Sequence, residues 1–409
     1  MEDYKIAAKI SEGRFGTVFA GLRESTGEKV AIKKIRARRP LPGYSKDPWT
    51  KSGEREIEVL QRVRHPNVVL LLEHATSAAT GTTVLVYELL AWPLDSLLDR
   101  RKPMDESHVK AIMQMLLCGL AHLHGLDIMH RDIKPANLIF EAETGKLKIA
   151  DFGSARFSPP GSGDLRESPA EPEDGVTGLT REVCTRWYKS PEMLFGSVDY
   201  TLNVDLWATG CVLGDLLSPT GEALFPGVSD IDQLCCIFRL VGTPHEDEWP
   251  EVRNLPDYNK IEFAPSKPQS FAFEGSCSTP ATQLLRRFLQ LNPADRVSAL
   301  DAPHEAFFHT SPAPVSAPEL LIDLGPLSTT PEVDDRLSFD GSDFSSDAVG
   351  SEFEVPGSEF EAIPIETTSC GLWDGIPPPL TDETLNNAGH PVSDSAAGPG
   401  GSEPANTSR

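Results

Sequence analysis

The string His130-Arg131-Asp132-Ile133-Lys134-Pro135-Ala136-Asn137, followed by Asp151-Phe152-Gly153, constrains this chain more than any other feature. It sets a proton acceptor, a cation and two metal ligands within one short stretch, a combination suited to phosphoryl transfer from a nucleotide to a hydroxyl. The loose transition state of that transfer is stabilised mainly by positioning, by Mg2+ and by cations on the phosphate oxygens, so little covalent chemistry is asked of the protein. On this reading Asp132 orients and deprotonates the acceptor hydroxyl, and Lys134 steadies the transferring group. Asn137 and Asp151 supply oxygen ligands, as Mg2+ favours a few protein oxygens combined with substrate phosphates.

A chain of 409 residues is too long for one compact core, and composition divides it. Residues 1–308 alternate apolar runs with turn signals. Residues 309–409 are rich in Pro, Ser, Gly and acids, with 18 Asp or Glu against Arg336 and Arg409 alone, so most of the net charge of −24 lies there. Such a segment buries too little apolar surface to offset the entropy of ordering and is expected to be a disordered acidic tail. Its isolated Phe339, Phe344, Phe353, Phe360 and Trp373 read first as scattered hydrophobes and second as short docking motifs. Seven cysteines without CxxC spacing point to a reducing intracellular compartment. No apolar signal core and no run of bilayer length is present, so the expectation is a soluble cytoplasmic or nuclear protein with no membrane partner. The acidic balance argues against a nucleic-acid partner, which needs clustered Lys and Arg.

Short, partly alternating runs at Ile6 to Ile10, Thr17 to Leu22 and Val30 to Ile35 predict strands. Ile57, Leu60 and Val63 recur at helical spacing between Gly53 and Val63, and Val68 to Leu72 and Val84 to Tyr87 complete a small sheet. Beyond Trp92-Pro93 the pattern turns helical. Val109, Ile112, Met113, Leu116, Leu117, Leu120 and Leu123 share one face of a helix with Asp105 as N-cap and Gly125 at its end. A β-rich lobe of about 1–90 and a helical lobe of about 91–308 follow, an α+β arrangement with the catalytic string between them.

These residues resemble the eukaryotic protein kinases over about three quarters of the chain, which implies the bilobal fold of that family and use of ATP with Mg2+. Lys33 in Val30-Ala31-Ile32-Lys33 matches the strand lysine on the nucleotide phosphates, and Glu56 its helix partner. A lone Lys or Glu is ordinarily a solvated charge; here both stand in family order before the catalytic string. The resemblance further implies that Glu88 and Leu90 form the hinge whose backbone reads adenine, with Ile10, Val18 and Ala31 packing around the base. The phosphate-covering loop reads Ser11-Glu12-Gly13-Arg14-Phe15-Gly16, with Ser11 where a glycine is expected; Gly13 and Gly16 keep close backbone approach open. A scaffold that binds nucleotide without transferring phosphate is the alternative, countered by intact Lys33, Asp132, Asn137 and Asp151.

The segment Thr180 to Glu192 is similar to the activation segment of cyclin-dependent kinases, with Ser190-Pro191-Glu192 for Ala-Pro-Glu, and Lys134 marks serine/threonine specificity. The resemblance extends through Asp205-Leu206-Trp207 and Leu240-Val241-Gly242-Thr243-Pro244, and Asp230-Ile231-Asp232-Gln233-Leu234-Cys235 and Leu255-Pro256-Asp257-Tyr258-Asn259-Lys260-Ile261 most resemble the cell-cycle-related kinase subfamily, which implies a role in cell-cycle or ciliary control and the cilium as a further location. It implies protein substrates, a buried Glu192–Arg296 pair and phosphorylation of Thr180 by an upstream kinase, with Arg55, Arg131 and Arg156 as the phosphate receptor. A cyclin or cyclin-like activator is an expected partner, although Trp49 to Glu56 departs from the usual cyclin-binding helix. Arg14-Phe15 replaces the inhibitory Thr-Tyr pair, so that control is expected to be absent. Lys189 replaces an Arg at the proline pocket, a point charge for a planar fork, so preference for proline after the target residue is expected to be weakened.

Overall fold

The computed structural model describes residues 3–13, 16–35, 48–77, 81–158, 186–324 and 353–354. Five antiparallel strands form the small lobe: β1 (Tyr4–Gly13), β2 (Gly16–Arg23), β3 (Glu28–Ile35), β4 (Leu71–Ser77) and β5 (Thr83–Glu88), in the order β1-β2-β3-β5-β4. At the free edge of β4 a two-residue strand, Phe353–Glu354, pairs with Ser77 and Thr76. Helix α1 (Pro48–Arg62) crosses this sheet and buries Val59 and Leu60 with Ile35, Leu71 and Leu85, the outcome of apolar positions three and four apart. The predicted strand at Val68 to Leu72 is displaced. Val68 and Val69 are buried and tie to Ile149 instead, and the regular strand starts at Leu71.

After the short strand β6 (Trp92–Pro93) and helix α2 (Leu94–Leu98), the large lobe is built on α3 (Glu106–Gly125). Asp105 occupies its N-cap position, although its side chain makes no capping bond. All seven apolar positions expected on its inner face are buried. Two antiparallel strand pairs follow: β7 (Ile128–Met129) with β10 (Arg156–Phe157), and the hairpin of β8 (Leu138–Phe140) with β9 (Leu147–Ile149). Helix α4 (Pro191–Leu194) leads to α5 (Asn203–Leu217), which is buried on nearly every side. Then come α6 (Asp230–Val241), α7 (Thr279–Phe288) and α8 (Ala306–His309). Among the described residues no helix is long and apolar enough to cross a membrane.

The folded part does not stop at residue 308. Helix α9 (Ala317–Leu324) lies on α3 and buries Leu320 completely. The Lys110 ammonium donates to the carbonyls of Thr310 and Pro312 at 2.6 and 2.7 Å. The expected boundary at 309 is thus too early by about one helix; a stretch rich in Pro and Ser masked two leucines that have a place to go. Apart from Phe353–Glu354, the rest of the expected tail lies outside the described residues.

Glu192 and Arg296 pair as the resemblance implied, in two parallel bonds of 2.7 and 2.8 Å. Arg296 also donates to the carbonyls of Gln290, Leu291 and Asn203 and lies over the Trp207 ring. With side chains 0% and 5% exposed, neither charge has water to fall back on. Removing one partner of such a pair costs about 3–5 kcal/mol, because it strands the other charge. Arg296→Leu is therefore expected to lower unfolding free energy by about that much, read as a shift of the urea midpoint at unchanged slope.

Candidate active site

The sheet and α1 bring Lys33 and Glu56 together. The Lys33 ammonium donates to both Glu56 oxygens, at 3.0 and 2.8 Å, and to Asp151 Oδ1 at 2.8 Å. Tyr87, from β5, donates its hydroxyl to Glu56 Oε1 at 2.6 Å. Burial by itself depresses the pKa of Lys33, but the charges of Asp151 and Glu56 outweigh it and hold the ammonium above its ordinary range. Burial pushes Asp151 up, and Lys33 overrides it to bring that carboxyl below the usual range. Lys33 and Asp151 are thus both charged near neutral pH.

The catalytic string is anchored from below. Asp205, in α5, is fully buried and accepts the amides of His130 and Arg131 at 2.8 and 2.7 Å, with His124 Nε2 3.1 Å away. Arg131 (φ 66°) and Asp151 (φ 62°) both take the left-handed conformation, which costs a non-glycine residue on the order of 1 kcal/mol or more and persists where surrounding contacts over-determine it. Those contacts are present: Arg131 Nε donates to the Ser154 carbonyl at 2.6 Å, and His130 Nε2 lies 3.0 Å from the Ala150 carbonyl. Phe152 is buried edge-on to His130, and Ser52 of α1 donates its hydroxyl to the Gly153 carbonyl at 2.6 Å. Helix α1, carrying Glu56, is thereby tied to the turn that carries Asp151.

Asp132 emerges above this floor. Lys134 Nζ donates to its Oδ2 at 2.8 Å, and Asn137 Nδ2 donates to the same oxygen at 3.0 Å and to the Asp132 carbonyl at 2.8 Å. Burial raises its pKa in spite of Lys134, which makes the carboxylate a better proton acceptor than a solvated one. Asn137 and Asp151 are hard oxygen donors on segments joined by the Ala150 amide, which donates to the Asn137 carbonyl at 2.8 Å, and such a pair suits Mg2+ completed by phosphates.

Of the remaining predicted site residues, those expected around the nucleotide lie on β1, β2, β3 and at the end of β5. Ile10 on β1 is 38% exposed, while Val18 and Ala31, on β2 and β3, are partly buried. Leu90 is buried just past the end of β5. Glu88 spends its side chain structurally: it accepts the Leu70 amide at 2.8 Å and the Lys148 ammonium at 2.6 Å. Gly16 has φ +148°, and a Cβ there would stand 2.4 Å from the Lys34 carbonyl oxygen; Gly13 has open space around it. Arg14 and Phe15 lie outside the described residues, as does Thr180. The elements that carry Arg55, Arg131 and Arg156 do meet, since α1 packs on β10 and β10 pairs with β7, two residues before the catalytic string.

Sequence reasoning missed the supports. Sequence reasoning assigns no role to Lys148 or Asp215, takes Tyr87 only as the end of a strand and Asp205 only as part of the Asp205-Leu206-Trp207 likeness. The available signal was an Asp in the middle of an apolar helix, twice in Asn203–Leu217.

A model of the protein kinase domain matches residues 4–308. The chain is 40% identical over 335 residues to Cyclin-dependent kinase 20 of Rattus norvegicus, covering 81% of this chain and 90% of that protein. Identity to the Homo sapiens protein of the same name is 40% over 325 residues, 79% and 87% of the two chains. Serine/threonine-protein kinase ppk23 of Schizosaccharomyces pombe is 39% identical over 319 residues, 77% and 74%. The chain belongs to the protein kinase family, as a serine/threonine kinase of the cyclin-dependent type. Such an enzyme uses ATP.

One support lies under the substrate side. Tyr188 donates its hydroxyl to Asp215 Oδ2 at 2.8 Å, and the Leu224 amide donates to Oδ1 at 2.8 Å. Burial dominates nonetheless and pushes the Asp215 carboxyl up to about 7. A folded-state pKa above the unfolded value favours folding while the group is protonated. This contribution is full below about pH 4 and is lost as pH rises toward 7, with a slope of at most about 1.4 kcal/mol per pH unit. Urea unfolding at pH 5 and pH 7.5 is expected to show this decline in the wild type and a smaller one in Asp215→Asn.

Proposed function

We propose that this kinase transfers the ATP γ-phosphoryl group to Ser or Thr hydroxyls followed by proline, with weakened strictness, under control of a cyclin or cyclin-like activator and of Thr180 phosphorylation. The observation that carries the catalytic part is the closed constellation in which Lys33 bridges Glu56 and Asp151 while Lys134 and Asn137 hold Asp132. Mg2+, held by Asn137 and Asp151, would neutralise charge on the phosphates. Lys33 binds the nucleotide phosphates and is kept in place by Glu56 and, behind it, Tyr87. The acceptor hydroxyl gives its proton to Asp132 as its oxygen bonds to phosphorus and the bond to the leaving ADP breaks. Lys134, 2.8 Å from Asp132, lies on the path of the transferring charge. Glu88 and Leu90 present backbone to adenine, and Ile10, Val18 and Ala31 enclose it.

Preference for proline rests on the concavity lined by Asp132, Tyr188, Lys189 and Met193, directly beside the proton acceptor. The cell-cycle or ciliary role, and a cytoplasmic, nuclear or ciliary location, rest on the resemblance of the sequence to the cell-cycle-related kinase subfamily and on its composition. The scaffold alternative predicts no transfer at all.

Asp132→Asn keeps the shape of the side chain and removes its basicity. General-base contributions run to about 100–10,000-fold, so turnover on a protein substrate is expected to fall by that order with melting temperature and Mg-ADP affinity unchanged. Wild-type turnover in the variant would remove Asp132 from the mechanism.

Thr180→Ala is expected to lower turnover strongly at unchanged nucleotide affinity. A dianionic phosphate facing guanidinium groups makes charge-assisted bonds that order a segment, which an alanine cannot replace. Activities of the phosphorylated and phosphatase-treated enzyme, with intact mass to report occupancy, decide the matter; equal rates would end the Thr180 assignment.

A further inference from the structure

The segment after residue 308 reaches the adenine side of the cleft through an unbroken series of contacts. Ser316 and Glu319 form a reciprocal cap at the start of α9: the Ser316 amide and hydroxyl donate to the Glu319 carboxylate at 2.9 and 2.8 Å, which fixes where the helix begins. Leu320 anchors it in the core, and His108 of α3 meets Asp323 at 3.0 Å. The other side of the helix faces the turn between β8 and β9. There Gly145 has φ +71°, and an added Cβ would stand 2.1 Å from the Ala317 carbonyl oxygen and 2.9 Å from Leu321 Cγ. Backbone and helix are therefore in direct contact, with no room for a side chain between them.

That turn is closed on itself. Glu141 and Lys146 pair through the Glu141 amide at 2.9 Å, the Gly145 amide donates to the Glu141 carbonyl at 3.1 Å, and Thr144 bonds the Glu141 carboxylate. From the turn, Glu141 reaches Lys148, 3.4 Å away, and Lys148 donates to Glu88 at 2.6 Å. Glu88 uses its other oxygen to hold the Leu70 amide. The Lys148 side chain is 10% exposed, so its two carboxylate partners are its main solvation. A shift of the turn moves Glu141, and with it the cation that fixes the end of β5.

We propose that residues 310–324 are a positioning element for the nucleotide site, acting through the Gly145 turn and Lys148 on Glu88. The inference rests on the reading of Glu88 and Leu90 as the adenine hinge. It makes Lys148 a positioning residue that acts on the nucleotide only through Glu88, and α9 a determinant of nucleotide affinity that does not touch the nucleotide.

The test measures Mg-ADP affinity by calorimetry, together with KM for ATP and for a peptide, on full-length protein. Lys148→Met is expected to weaken Mg-ADP binding and raise KM for ATP about tenfold, leaving KM for the peptide unchanged, and Lys148→Arg is expected to recover most of the loss. Leu320→Asp, which makes the docked helix untenable, is expected to give a similar loss. Should that variant fail to fold, Leu321→Ala removes the contact with the turn while Leu320 stays buried, and is expected to give a smaller loss of the same kind. The decisive result is the double variant: if α9 acts through Lys148, adding either leucine substitution to Lys148→Met costs nothing further, whereas independent effects multiply. Multiplying effects, or helix variants that lose thermal stability but bind Mg-ADP like wild type, overturn the proposal. Ala31→Trp, which fills the expected adenine slot, separates the two readings. If it leaves Mg-ADP binding intact the hinge reading itself falls; if it abolishes binding while Lys148→Met is neutral, only the coupling falls.

Discussion

A carboxylate with no access to water, that of Asp205, sets the root of the catalytic loop. By accepting two successive amides it fixes His130 and Arg131 at once, and so forces the left-handed turn that Arg131 would otherwise avoid. Everything above inherits its position from there: Asp132 by the next peptide, Ser154 through the Arg131 side chain, and the Ala150–Phe152 turn through the His130 ring. Burial opposes that charge, yet hydrogen bonding to the charged form and the nearby histidines hold its pKa below the usual carboxylate range. An uncharged isostere at this position would offer one acceptor oxygen where two are used.

The two lobes meet by a different logic, in which like-charged acids share one cation. Glu56 and Asp151 both face Lys33, and without it they would repel across a buried space. The ammonium therefore acts as a structural counter-ion in addition to its proposed role on the nucleotide phosphates. Ser52 adds a neutral tie from the same helix to the Gly153 carbonyl, so α1 is held at two points a turn apart. Orientation of α1 and geometry of Asp151 are one degree of freedom.

What the sequence made legible was the chemistry and the regular elements. His130 to Asn137 and Asp151 to Gly153 carry roles that only their residue types can fill, and α3 announces itself by seven apolar positions on one face. Supports were harder to see, because a buried Asp205 or Lys148 has the same letter as a solvated one; Asp205 stands 74 residues from Arg131 and Lys148 stands 60 from Glu88, and only the fold brings them within reach. The domain end was misread for a related reason. Composition averages over a window, and the Pro-rich run before Ala317 outweighed Leu320 and Leu321, whose burial depends on a surface supplied by α3 and Gly145. Lys110 misleads in the same way: on an apolar helix it reads as the solvated edge, whereas its ammonium is spent on the carbonyls of residues 200 and 202 positions later.

The Glu192–Arg296 pair also bears on how the chain is made. Its members are 104 residues apart. At roughly 5–20 residues per second, the ribosome delivers Arg296 about 5–20 seconds after Glu192. During that interval the lower lobe cannot close, and α5, apolar on nearly every side, waits without the α7 residues that later cover it. The large lobe is therefore assembled as one late event, and the nascent protein passes through a stage with an uncovered greasy helix. A buried ion pair that locks the finished enzyme thus also sets the earliest moment at which the large lobe can close, and marks a span of synthesis during which shielding of the growing chain matters.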